Sequence, residues 1–216
     1  MQDAGEKETL VIRALKKSYD GVPVFKNVNL KLQRGGVYCL TAPSGAGKTT
    51  FLRILMGLET ADGGRIEGRA KGKVAAVFQE DRLCPWLDAA GNIRLVHPRI
   101  ETALLQQEMR RLLPEESLSK PVAEFSGGMR RRVSLLRALL SEGELLLFDE
   151  PFNGLDEEMR QRALEYVKSR RNGRTLLFTT HHAEEAQALH AQKIVWEPGL
   201  LTWRPERGAD QAQEFT

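Results

Sequence analysis

An α/β fold is predicted by three features of the sequence. Compact apolar runs at Val37-Tyr38-Cys39-Leu40, Lys73–Phe78, Leu145-Leu146-Leu147-Phe148 and Thr175–Thr180 read as buried strands, and segments of helical spacing separate them. Val28, Leu30 and Leu32 alternate with Asn27, Asn29 and Lys31, the period of a half-buried antiparallel strand. No β-rich segment lies between Gln79 and Leu140, so a helical insertion is expected there.

Bulk properties set limits. At 216 residues the chain can bury a sizeable core in one or two domains. A net charge of +3, from 32 basic and 29 acidic residues, is too small to argue for nucleic acid or a membrane surface, and no nucleic-acid partner is expected. Cys39 and Cys84 are the only cysteines, which gives no metal pattern and no disulfide framework. Cys39, in a strand, reads as a small buried residue. The polar start, Met1 to Glu8, is not a signal peptide, and no apolar run approaches the ~18–20 residues of a membrane span. The expected location is cytoplasmic.

In chain order, Leu10–Lys17 reads as a strand and Asp20-Gly21 as the turn after it. Tyr19, at that strand's end, is open to two readings: a core or edge tyrosine, or a ring that stacks on a nucleotide base. The strand Val37–Thr41 runs into Ala42-Pro43-Ser44-Gly45-Ala46-Gly47-Lys48-Thr49-Thr50. Strand, glycine-bearing loop, Lys-Thr and helix make the P-loop arrangement, with Ala42 in place of its first glycine. Loop glycines let successive backbone N–H groups surround phosphate oxygens, and the helix N-terminus adds partial positive charge. Lys48 can reach the β- and γ-phosphates, and the Thr49 hydroxyl can ligate Mg²⁺.

The helix that follows carries Phe51, Leu52, Leu55 and Leu58 on one face and ends near Gly57. Asp62-Gly63-Gly64 is a turn before a short strand, Arg65-Ile66-Glu67. Cys84-Pro85-Trp86-Leu87 is a loop or short helical turn. Leu105, Met109, Leu112 and Leu113 recur at helical spacing until Pro114. Ser126-Gly127-Gly128 opens a helix whose apolar face is Met129, Val133, Leu136 and Leu140; a hydroxyl and unencumbered N–H groups there make a second anion site. Arg130–Arg132 reads as a solvated helix face.

Asp149 and Glu150 end an apolar strand, where open α/β sheets bind ligands; one can hold Mg²⁺ while the other polarises water. Asp156 can cap the next helix, whose first turn is acidic and last turn basic. His181-His182 ends the strand Thr175–Thr180. Lys193–Glu197 and Leu200–Trp203 form a closing hairpin, and residues 204–216 are a polar, frayed tail.

Taken together, Tyr19, residues 42–50, Gln79, Phe125–Met129, Leu145–Glu150, Asn153–Asp156 and His181 resemble, in one order, the seven motifs of the ATP-binding cassette (ABC) ATPases: A-loop, Walker A, Q-loop, signature, Walker B, D-loop and H-switch. The resemblance covers residues 9–203. It implies a P-loop NTPase fold in a single ABC ATPase domain over 1–216, with an antiparallel β-subdomain, a nucleotide-binding core at about 1–79 and 141–203, and a helical signature subdomain at about 80–140. The segment Val77–Leu87 is further similar to ATPases of nitrate, sulfonate and taurine importers.

The resemblance implies an ATPase working with ATP and Mg²⁺, sandwiching nucleotide between two such subunits, either two copies or a paralogous pair. Ser44, Gly45, Ala46, Gly47, Lys48, Thr49 and Thr50 would bind the phosphates and Tyr19 would stack on adenine. Thr49, Gln79 and Asp149 would serve Mg²⁺. Glu150 would act as general base, with His181, Lys48 and Gln79 completing the catalytic set. Ser126, Gly127 and Gly128 would reach the partner's nucleotide, and Asp156 would communicate across the interface. Integral-membrane permease subunits, met through Gln79–Leu87, and indirectly a solute-binding protein, would be the other partners. This places the chain on the inner face of the membrane. Trp86 then reads either as a permease contact or as local packing. Beside this importer reading stand a soluble non-transport ABC ATPase and a non-hydrolytic nucleotide-binding regulator, the latter allowed by Ala42 and Met129.

Overall fold

The computed structural model describes residues 8–68 and 74–206. In chain order its elements are β1 (Glu8–Tyr19), β2 (Val22–Gln33), β3 (Val37–Thr41), α1 (Lys48–Met56), β4 (Gly63–Glu67), β5 (Val74–Val77), α2 (Ala89–Arg94), α3 (Thr102–Arg110), α4 (Gly127–Leu140), β6 (Leu145–Asp149), α5 (Glu157–Arg170), β7 (Thr175–Thr179), α6 (Ala183–Ala188), β8 (Gln192–Glu197) and β9 (Thr202–Pro205). Single turns of 3₁₀ helix at Glu115–Ser117 and Val122–Glu124 each follow a proline, Pro114 and Pro121. Lys73 and the extreme termini lie outside the described residues, as does most of the expected tail; Arg204 and Pro205 belong to β9.

Two sheets result. A six-stranded sheet, ordered β5-β6-β7-β3-β8-β9, is parallel except for its closing β8–β9 hairpin, and a three-stranded antiparallel sheet is ordered β2-β1-β4. The β1–β2 hairpin extends beyond its expected span because Asp20 and Gly21 both take left-handed φ (50° and 79°). That two-residue turn matches the twist of long flanking strands.

The period-two geometry of the large sheet sorts its side chains into two cores. Leu145, Leu147 and Leu177 face the β1–β2 sheet and α1, meeting Phe25, Phe51 and Trp203. Leu146, Phe148, Leu176 and Phe178 face the other way, onto α4, α5 and α6. Both faces are covered, which explains why these strands read as continuous apolar runs. All described strand ends that carry polar motifs, Thr41, Asp149 and Thr179, are C-terminal ends of parallel neighbours.

Some expectations change. Leu58 is exposed, because α1 stops at Met56 with Gly57 in the left-handed conformation as its cap. The α3 helix ends at Arg110, and Leu112 and Leu113 are buried in the turn beyond it. The largest departure is Arg130–Arg132. These are not a solvated face: Arg131 is buried, and all three donate to backbone carbonyls, of Phe125 (Arg130), Phe78 and Gln79 (Arg131), and Leu112 and Gly128 (Arg132).

Candidate functional site

The loop between β3 and α1 is shaped by two glycines with φ of 81° (Gly45) and 83° (Gly47). Left-handed residues at these points turn N–H groups inward. A Cβ on Gly45 would meet nothing within 4 Å, so the loop's mouth is open there, whereas one on Gly47 would lie 2.3 Å from Val24 Cγ1. The loop therefore packs tightly on β2 on one side and faces free space on the other. Ala42 is absent from the positive-φ residues, so its methyl group is accommodated without strain. Lys48 Nζ donates to the Ala42 and Pro43 carbonyls at 2.8 and 3.1 Å, and burial lowers its pKa. Ser44 is exposed, Ala46 N–H closes a turn onto the Pro43 carbonyl, and Thr50 sits half-buried in the first turn of α1.

The walls come from neighbouring strand ends. Thr49 Oγ1 donates to Asp149 Oδ2 at 2.6 Å, and Thr179 Oγ1 donates to Asp149 Oδ1 at 2.6 Å. Both carboxylate oxygens of the buried Asp149 are thus held by hydroxyls. The Thr179 hydroxyl also accepts from the Glu150 N–H at 2.9 Å. Glu150 has a left-handed φ of 49°, an uncommon state for a non-glycine residue and one that concentrates at functional sites. Its Oε1 is 2.9 Å from His181 Nε2, and its Oε2 accepts from Asn153 Nδ2 at 3.2 Å.

Thr49, Gln79 and Asp149 line one recess of about 120 Å³, together with Arg53, Phe78 and Arg82. Three oxygen donors suit a hard cation. Among the described residues no group of three or more His, Cys, Asp or Glu is gathered for a metal. That fits Mg²⁺, which takes a few protein oxygens and completes its shell with water and substrate phosphates. The residues present therefore fit both the ion and the phosphates.

Other expected residues lie apart from this group. Ser126 caps α4 by accepting from the Met129 N–H at 3.2 Å; Ser126 and Gly127 are exposed, while Gly128 is pressed on Gly154, whose carbonyl would be 3.1 Å from a Cβ. Asp156 caps α5, accepting from the Met159 N–H at 2.9 Å. Tyr19 is 45% exposed, with Lys17 Nζ 4.8 Å from its ring centroid. Trp86 is 79% exposed, so local packing does not account for it. Cys39 is buried, and burial pushes its thiol up to about 11. Sequence reasoning missed Thr179 and Asn153 as partners of the carboxylates. The parallel pairing of Asp149 with Thr179 is the signal that locates the first.

The ABC transporter family profile matches residues 25–153. The chain belongs to the ABC transporter family. As a member it is an ATPase that uses ATP with Mg²⁺. It is 38% identical over 204 residues to the aliphatic sulfonates import ATP-binding protein SsuB 2 of Agrobacterium fabrum, covering 89% of this chain and 77% of the relative. It is 36% identical over 197 residues to the Nod factor export ATP-binding protein I of Cupriavidus pinatubonensis, covering 83% and 61%. Its fold matches the dimeric ATP-binding cassette MJ0796 bound to ADP and Pi with a TM-score of 0.80 at 24% identity, over 92% and 99% of the two chains. Among the described residues no helix is long and apolar enough to cross a membrane.

Proposed function

We propose that this ABC ATPase is the energy-supplying subunit of an importer for a small anionic solute of the sulfonate class, acting as a dimer on membrane permease subunits. Support for the hydrolytic role comes from one observation: the Thr49–Asp149–Thr179 hydroxyl–carboxylate chain ends on the N–H of Glu150, whose carboxylate is held by His181 and Asn153. Support for import comes from the sulfonate-import relatives.

In this reading the amides of 44–50 and Lys48 hold the phosphates, and Tyr19 offers the open face of its ring to adenine. When bound, Mg²⁺ neutralises charge on the β- and γ-phosphate oxygens. Asp149, pinned by two hydroxyls, is held for the ion alongside Thr49 and Gln79. Glu150 takes the proton of the attacking water, and His181 orients Glu150. Ser126–Gly128 complete the nucleotide site of the opposite subunit, and Asp156 stands at the contact between subunits. Phosphoryl transfer depends mainly on position and charge compensation, which rigid strand ends supply. Residues of about 80–140 act as one helical unit that carries the signature turn, and the exposed Trp86 is the permease anchor.

Deleting the gene in its host tests the transport reading. Uptake of a radiolabelled alkanesulfonate is expected to be lost and restored by the unmodified gene, but not by its Glu150→Gln or Trp86→Ala forms. The export relative favours a second direction: normal uptake of every anion tested, with efflux of a solute lost, would replace import by export.

A further inference from the structure

We infer that Arg131 is a positioning residue that aims Gln79 into the Mg²⁺ recess and ties it rigidly to the signature turn of the same chain. The inference rests on the roles proposed above for Gln79 and Ser126–Gly128.

The segment that carries Gln79 has little backbone pairing of its own. It begins where β5 ends, at Val77, and it bends through Arg82 at a left-handed φ of 47°. Helix α4 holds it from one side. Arg131 donates from two guanidinium nitrogens to the carbonyls of Phe78 and Gln79. Further along, Ser134 Oγ donates to the Asp81 carbonyl at 3.0 Å, and Arg137 donates to the carbonyls of Asp81 and Arg82 at 3.0 and 2.7 Å. Four carbonyls of a five-residue segment are thus bound by side chains of one helix.

Among these contacts the Arg131 fork is distinct. The Phe78 and Gln79 carbonyls belong to the peptide units on either side of the Gln79 Cα. Fixing both planes fixes the Gln79 backbone dihedrals and hence the direction of its Cα–Cβ bond, from which the side chain departs. Ser134 and Arg137 act only downstream. Arg131 is 7% exposed, and its Nε lies 3.5 Å from Asp81 Oδ1, so the guanidinium is held on three sides. A lysine ammonium, a point charge on a flexible stem, can donate to more than one carbonyl but lacks the rigid planar fork that sets their relative orientation and the third nitrogen that faces Asp81.

The same helix begins with the signature turn, one turn away from Arg131. A continuous α-helix transmits displacement along its axis. Movement of Ser126–Gly128 on engaging the partner's nucleotide therefore moves the anchor of Gln79, which serves the chain's own nucleotide. Arg131 is the mechanical join between the two half-sites that each subunit contributes.

The test uses the full-length protein and its Mg²⁺-dependent ATPase activity, with Gln79→Ala, Arg131→Lys, Arg131→Gln and the Gln79→Ala/Arg131→Lys pair. Arg131→Lys keeps the charge beside Asp81 and the fold while losing the fork; it carries the comparison even if Arg131→Gln does not fold. Arg131→Lys is expected to raise the Mg²⁺ concentration for half-maximal rate about tenfold, as loss of supporting contacts around a metal site commonly does. Its melting temperature should stay within a few degrees of the unmodified protein, and the double variant should be no worse than Gln79→Ala alone. An unchanged Mg²⁺ requirement in Arg131→Lys, or strictly additive losses in the pair, overturns the role of Arg131 while leaving that of Gln79 intact. An unchanged Mg²⁺ requirement in Gln79→Ala overturns the reading of Gln79, and with it the inference.

Discussion

His181 Nε2 lies 2.9 Å from Glu150 Oε1, although the two residues stand at the ends of different parallel strands. With Asn153 on Oε2, the Glu150 carboxylate has a partner on each oxygen and is aimed before any substrate arrives. Glu150→Gln is expected to lower kcat by about 100-fold or more, the usual scale for loss of a general base, with ATP binding retained. His181→Ala should cost less, and the double variant should match Glu150→Gln alone, because residues that act as a unit do not add. Steady-state turnover beside equilibrium ATP binding checks this; full additivity would show that His181 acts independently of Glu150.

Thr179 is expected to matter as much as the motif residues around it. Its hydroxyl donates to Asp149 and accepts from the Glu150 N–H, and it is fully buried. Thr179→Val keeps the shape but leaves those groups unsatisfied, at a cost of about 2 kcal/mol. A rise in the Mg²⁺ requirement of about tenfold should accompany it. Thr179→Ser should restore both stability in urea and the Mg²⁺ titration midpoint.

Ala42 and Gly47 should respond in opposite ways. Ala42→Gly is expected to leave ATP affinity unchanged within twofold, and to lower stability by no more than about 1 kcal/mol through the looser unfolded chain. Gly47→Ala meets both a φ of 83° and Val24 Cγ1 at 2.3 Å. Backbone strain and overpacking of about 1–3 kcal/mol each should lower the melting temperature by several degrees and weaken nucleotide binding. A Gly47→Ala protein with unaltered melting would contradict the tight seat of the loop on β2.

Far from the nucleotide, Glu108 joins α3 to α5. It accepts from Tyr166 Oη at 2.8 Å and Arg170 Nε at 2.7 Å, and a second Arg170 nitrogen contacts its other oxygen. Burial alone pushes its pKa up, but the hydrogen bonds from Arg170 and Tyr166 outweigh this and hold the carboxyl below its ordinary value. Glu108→Ala should therefore destabilise by about 3 kcal/mol, leaving Arg170 unpaired. A depressed carboxyl stabilises the fold above its unfolded pKa, about 4.3 for Glu, and loses that contribution as pH falls through the lower folded value. The gap between native and Glu108→Ala proteins, followed by denaturant melts, should be constant near neutrality and shrink in acid.

Much of the site was legible because its chemistry is local. Residues 42–50 read as a phosphate loop since glycines, Lys48 and Thr49 lie within one strand–loop–helix unit, and Asp156 reads as a helix cap because a cap bonds three residues ahead. That the Ser126 hydroxyl also caps its helix, on the Met129 N–H, is a finding of the structure. The arginine run misled because charge in a helix usually means solvent. Here the surrounding backbone had unpaired carbonyls for Arg130, Arg131 and Arg132 to satisfy, a demand that no local pattern expresses.

By itself, then, the sequence determined the element types, the buried strands, the glycine-bearing loop between β3 and α1 and the pair of carboxylates at Asp149 and Glu150. Those follow from periodicity and from short-range bonding along the chain. Only the tertiary structure decided that Thr179 stands beside Asp149, that His181 meets Glu150, and that Arg131 grips the backbone on both sides of Gln79. These contacts join residues that are distant in the chain. They depend on which strands neighbour one another, and on which carbonyls a bent segment leaves for a helix to bind.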